Sequence, residues 1–284
     1  MTQTHTIDVP GATITYDLRP ADSAEPPLLM IGSPMDATGF AELAGHFPDR
    51  TVVTYDPRGA GRSTKADPSE PSTPQQHGAD LHAVIGALGG GPVDIFASSG
   101  GAVNSFALIA GYPQDVRILV AHEPPVFTAL PDRENALAAV RAIRAAYEKD
   151  GFGAGMSRFI STIGHRGEFT ADYADRPGPD PATFGLPAAD DGSRTDVLLG
   201  QNILTCTHFE PDFDALRAAP ARIVVGAGEE SDGEMANRAA KAVASRLGSQ
   251  AVIFPSHHGG FVGGAGEWAG KPEAFAAKLR ETLA

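Results

Sequence analysis

The stretch Val93-Asp94-Ile95-Phe96-Ala97-Ser98-Ser99-Gly100-Gly101-Ala102 constrains this chain more than any other. An apolar run of strand character enters a cluster of very small residues and leaves as a helix, so the backbone must turn sharply at Ser99. Ala97-Ser98-Ser99-Gly100-Gly101 reads as the strand–nucleophile–helix elbow G-x-S-x-G, with Ala in place of the first Gly. A nucleophile held in a strained turn needs neighbours without bulky side chains if strand and helix are to pass close together. Such a bend lifts the Ser99 hydroxyl above the sheet edge and aims the first amides of the helix at the reacting centre. The Gly100 amide is then the natural first oxyanion donor. The plainer alternative is a Gly-rich turn whose serines only cap the helix.

Composition narrows the setting. A chain of 284 residues, 42% of them hydrophobic, can bury a substantial core. A formal net charge of -13 opposes a nucleic-acid or anionic-membrane partner and favours solubility. The single cysteine, Cys206, cannot form an internal disulfide and fits a reducing compartment. No apolar segment approaches the roughly 18 residues of a membrane span, and the first residues carry no basic region, so a soluble, cytoplasmic protein is expected. The expected partner is a small-molecule substrate, with association into a homodimer left open.

Strand-like and helix-like patterns alternate, the signature of a mostly parallel α/β sheet. Strands are predicted at Thr13 to Leu18, Pro27 to Ile31, Thr51 to Tyr55, Val93 to Ala97, Val116 to Ala121, Ala221 to Val225 and Ala251 to Phe254. Helices are predicted at Phe40 to Phe47, Gln75 to Leu88, after the elbow to about Gly111, at Met235 to Leu247 and at Pro272 to Leu283. Between Pro124 and Pro220 the strand signal disappears. Helical patterns at Glu134 to Glu148 and Asp196 to Thr207 flank a Pro- and Gly-rich loop from about Arg176 to Ser193.

This order of elements and motifs resembles an α/β-hydrolase with a helical cap. Ile31-Gly32-Ser33-Pro34 resembles that family's His-Gly-x-Pro turn, with Ile31 replacing the histidine, and Asp56-Pro57-Arg58-Gly59-Ala60-Gly61-Arg62-Ser63 matches its D-x-R-G-x-G-x-S loop. The elbow at Ser99 and the late acid and histidine segments complete the set. The resemblance implies the α/β-hydrolase fold: a mostly parallel central sheet with helices on both faces, a core of residues 1–123 and 221–284, and a helical cap insertion over 124–220.

A hydroxyl of ordinary pKa is a poor nucleophile, so Ser99 requires a base, and that base an orienting acid. After the last strand comes Pro255-Ser256-His257-His258-Gly259-Gly260-Phe261, where the family places its histidine. The resemblance implies His258 as the base, with His257 as the alternative. Counting from Gly226 as the family does lands on Glu229 as the acid, followed by Glu230, then Glu123 at the end of the strand after the elbow, and Asp232. The Ser33 amide joins that of Gly100 as the second oxyanion donor, because Pro34 has no N–H.

Other motifs weigh less. Gly226-Ala227-Gly228-Glu229-Glu230 lacks the third glycine of a dinucleotide fingerprint and sets two glutamates against a pyrophosphate. The nine histidines include no H-E-x-x-H, so neither cofactor nor metal is expected. Asp56 and Arg58 read as a structural turn. Phe127, Phe152, Met156, Phe159, Phe209 and Phe213 are either an apolar acyl pocket or the cap's own core. The resemblance implies hydrolysis of a small carboxylic ester or lactone through an acyl-enzyme. A carbon–carbon bond hydrolase, a thioesterase and a cofactor-free perhydrolase share the same triad, and a non-catalytic small-molecule-binding protein could share the fold.

Overall fold

A computed structural model describes residues 1–264 and 269–284. Strands β1 (Gln3–Val9) and β2 (Ala12–Arg19) form a hairpin whose turn holds Gly11 at φ 74°. Then come β3 (Leu28–Ile31), helix α1 (Ala41–Gly45), β4 (Val52–Tyr55), the short β5 (Thr64–Lys65), α2 (Pro74–Ala87), β6 (Val93–Ser98), α3 (Gly100–Gly111) and β7 (Val116–His122). After a long helical segment the sheet resumes with β8 (Arg222–Gly228), preceding β9 (Val252–Phe254). The spatial order is β1-β2-β4-β3-β6-β7-β8-β9, with β5 on β2. From β4 to β9 every neighbour is parallel, whereas β1, β2 and β5 pair antiparallel.

The central strands are buried on both faces, which is why they read as unbroken apolar runs. Alternation decides the layers. Leu29, Ile31, Ile95 and Ala97 join a cluster with Leu81 and Val84 of α2 and Val103 and Phe106 of α3. Leu28, Met30 and Phe96 face Leu43 of α1 and Phe275 and Leu279 of the last helix. Burial of Phe96 alone contributes about 2–3 kcal/mol. Thr73 and Gln76 close a capping box on α2, with Pro74 at its first turn.

Between β7 and β8 lie α4 (Arg133–Ile163), α5 (Ile203–Thr207) and α6 (Phe213–Ala218), with short 3-10 turns and one wider turn at Val197–Asn202. The helix predicted to end at Glu148 continues to Ile163 across a break at Gly151, φ 84°, where a Cβ would collide with the Asp190 carboxylate. Phe127, Val140, Ile143, Tyr147 and Leu199 of this segment pack together with Met235 and Ala239 of α7 (Met235–Arg246). The chain closes with α8 (Pro272–Leu283), as its sequence pattern predicts. No described helix is long and apolar enough to cross a membrane.

Candidate active site

β6 ends at Ser98, and Ser99 takes φ 55°, ψ -127° before α3 begins at Gly100. The Ser99 amide donates to the His122 carbonyl at 2.9 Å, which locks the bend to the end of β7. A Cβ on Gly100 would stand 2.6 Å from the Ser33 carbonyl, and one on Gly101 2.7 Å from that of Ile31. The small residues are therefore required: α3 starts in contact with the chain leaving β3. The same contact sets Ser33 beside Gly100, and both line a cavity with Ser99. As the first residue of α3, Gly100 has an amide for which the helix offers no partner.

Two further chain ends converge here. Glu123, at φ 47°, directly follows β7 and is fully buried. Its Oε2 lies 2.6 Å from His258 Nδ1. Its Oε1 accepts from the Gly228 amide at 2.8 Å, from Ser231 Oγ, and from Asn237 Nδ2 at 3.2 Å. With a carboxylate on Nδ1 the imidazole carries its proton there, and Nε2 keeps its lone pair. Ser99, Glu123 and Ser256, the non-glycine residues at positive φ among those described, all follow the C-terminal ends of parallel strands around this site. Such strain, about 1–3 kcal/mol per residue, persists only where surrounding structure enforces it.

The carboxylate on His258 is thus Glu123, and the count from Gly226 to Glu229 is corrected. β8 runs to Gly228, and the amides of Glu229 and Glu230 then bond the carbonyls of Phe254 and Ser256, leaving both side chains exposed. Glu230 pairs with Lys271 at 2.5 Å and Asp232 with Lys241, both at the surface. His257 turns its Nδ1 to the Gly259 amide at 3.1 Å and is absent from the cavity wall. Ser231 and Asn237 are further site residues that sequence reasoning missed. A small polar side chain carries no signal of its own unless its carboxylate partner is known.

Burial opposes the charge on both members of the pair. For Glu123 the hydrogen bond and charge of His258 outweigh burial and hold its carboxyl well below the usual range. For His258 burial would lower the pKa, yet Glu123 outweighs it and the net shift is upward. Cys206 lines the same cavity, but burial pushes its thiol up to about 12, so at neutral pH it stays protonated and unreactive.

The cavity measures about 250 Å³ and its wall is mostly apolar, including Phe127, Val140, Ile143, Phe159 and Met235. A second cavity of about 130 Å³, bounded by Met35, Gly259 and Phe261, shares Ser33, Pro34, Ser99 and His258 with the first. Ser99 and His258 therefore stand at the junction of two spaces. Of the other apolar candidates, Phe152 and Met156 pack within the helical segment and Phe209 and Phe213 against the main core. Asp56 accepts from the Ala37 and Arg62 amides and Arg58 is paired with Asp80, which braces the turn. Among the described residues no group of three His, Cys, Asp or Glu side chains could hold a metal ion.

A model of the alpha/beta hydrolase family matches residues 28–278. The chain is 28% identical over 263 residues to the uncharacterized hydrolase YraK of Bacillus subtilis (strain 168), covering 90% of this chain and 89% of that one. Its fold is similar to that of a thermophilic esterase from Thermogutta terrifontis, with a TM-score of 0.65 at 20% identity over 99% of this chain and 98% of the other. It is also similar to the N-acyl homoserine lactonase AidH, with a TM-score of 0.64 at 17% identity over 100% and 96%.

Proposed function

The chain belongs to the alpha/beta hydrolase family, and from that premise we propose that it is a serine hydrolase cleaving a small carboxylic ester or lactone. The observation that carries this reading is the buried Glu123 on His258 Nδ1, with Ser99 on the wall of the same apolar cavity. Ser99 Oγ attacks the carbonyl carbon, and His258 Nε2 takes its proton. The oxyanion is met by the amides of Ser33 and Gly100, each such donor worth roughly 3–4 kcal/mol in the transition state. His258 then returns the proton to the leaving alkoxide as the acyl–oxygen bond breaks. Water, deprotonated by the same imidazole, cleaves the acyl-enzyme and releases the carboxylic acid and Ser99.

Glu123 fixes the tautomer and balances the imidazolium. A serine nucleophile also argues against chemistry that needs a carboxylate to form an alkyl-enzyme. Similarity in fold to an esterase and a lactonase supports the same substrate class. Turnover of short p-nitrophenyl esters and of lactones tests the reading: wild type should hydrolyse one of these classes, and Ser99→Ala and His258→Ala should not. Undiminished turnover by either variant overturns it.

A further inference from the structure

Two carboxylates line the 250 Å³ cavity, and one of them, Glu123, is engaged by His258. The other is Glu234. It immediately precedes α7, whose Met235 and Ala236 face the same cavity. Its partner Arg166, 2.8 Å away, is mostly exposed and is not part of the cavity wall. Arg166 is bound on the outside of the loop through the carbonyls of Asp232 and Glu230, each at 2.8 Å, while the Gly167 amide bonds that of Gly233. Glu234 therefore lines the cavity while the arginine paired with it does not. No lysine or arginine is among the residues lining the cavity. The charge of Glu234 also acts on the His258 ring, favouring its protonated form.

We propose that Glu234 is a charge filter for the acyl group: the site takes uncharged or cationic acyl donors and rejects those carrying a second carboxylate. This deepens the esterase reading and rests on it. Any charged group entering an apolar cavity loses hydration, so both signs are penalised; only the cation then finds a countercharge. The ratio between cationic and anionic substrates of equal length cancels the shared penalty and isolates Glu234.

The test compares wild type and Glu234→Gln on p-nitrophenyl hexanoate, the p-nitrophenyl half-ester of adipic acid, and p-nitrophenyl hexanoate carrying a terminal trimethylammonium. The expected result is a cation-to-anion ratio of kcat/KM that falls about tenfold in the variant, the size of a partly screened like-charge contact. A ratio unchanged within about twofold overturns the filter. Wild-type turnover of the neutral ester tests the esterase reading separately. If that ester is not cleaved, the filter is read from thermal shifts: hexyltrimethylammonium should stabilise wild type more than hexanoate does, and Glu234→Gln should abolish the difference. An equal response of wild type to both ions overturns it.

Discussion

Glu123 Oε2 lies 2.6 Å from His258 Nδ1 across 135 positions of sequence. The contact exists because the ends of two strands separated in the sheet by β8 turn toward the same point, each through a strained residue, Glu123 itself and Ser256.

Removal of the Glu123 charge should collapse turnover while the fold survives. Glu123→Gln keeps the shape but reverses one hydrogen-bond role, and kcat should fall on the order of 10⁴-fold, the cost of the wrong histidine tautomer. Glu229→Gln, at an exposed site, should retain turnover within about twofold. Steady-state kinetics on both variants distinguishes the two glutamates, and the opposite pattern would return the acid to position 229.

The pH profile follows from the upward shift of His258. The base must be neutral to accept the Ser99 proton, so kcat/KM should fall on the acid side, with its inflection above the ordinary histidine value of about 6.5. In any Glu123→Gln activity that remains, the inflection should move down, because the group holding the proton on has gone. An inflection well below 6.5 in wild type would contradict the pairing.

Two other histidines should make the fold sensitive to acid. His77 and His122 are buried, and burial lowers the pKa of each to about 4. Both ring nitrogens of His122 lack a hydrogen-bond partner. Between pH 6.5 and 4 the unfolded chain binds the protons that the folded chain refuses. Stability is therefore complete above about 6.5 and is lost as pH falls toward 4, on the order of 3 kcal/mol per histidine. Urea unfolding at several pH values should show this loss, and His122→Leu should remove about half of it, leaving the share of His77. An unaltered pH slope in that variant would sink the assignment.

Strain at the elbow predicts a trade of activity for stability. Ser99→Gly removes the nucleophile but relieves a side chain held at φ 55°, and a gain of about 1 kcal/mol is expected after the entropy cost of the glycine. Gly100→Ala should offer no such trade: its Cβ would stand 2.6 Å from the Ser33 carbonyl, so both stability and turnover should drop. Thermal denaturation of the two variants checks both signs.

The elbow and the buried parallel strands were legible because each imposes its own local pattern: small residues at a bend and an unbroken apolar run. β1 was not, since most of Gln3–Val9 is exposed and is held by backbone pairing to β2, which requires no apolar alternation. The extension of α4 past Gly151 was hidden by a glycine that normally ends a helix. Glu229 was placed ahead of Glu123, the carboxylate that lies on His258, for a different reason. Spacing along one loop cannot show which strand end delivers a carboxylate inward, and that depends on the bonds turning Glu229 and Glu230 outward. Glu123, directly ending the apolar strand Val116–His122, was among the candidates, and its burial is what sets it apart, because a buried carboxylate must find a partner.

The most direct test of the central claim is the site of covalent capture by a fluorophosphonate, read by peptide mass spectrometry. The adduct should sit on Ser99, form fastest where His258 is neutral, and vanish in Ser99→Ala. A phosphonate carried by another residue, or full labelling of Ser99→Ala, would contradict the account.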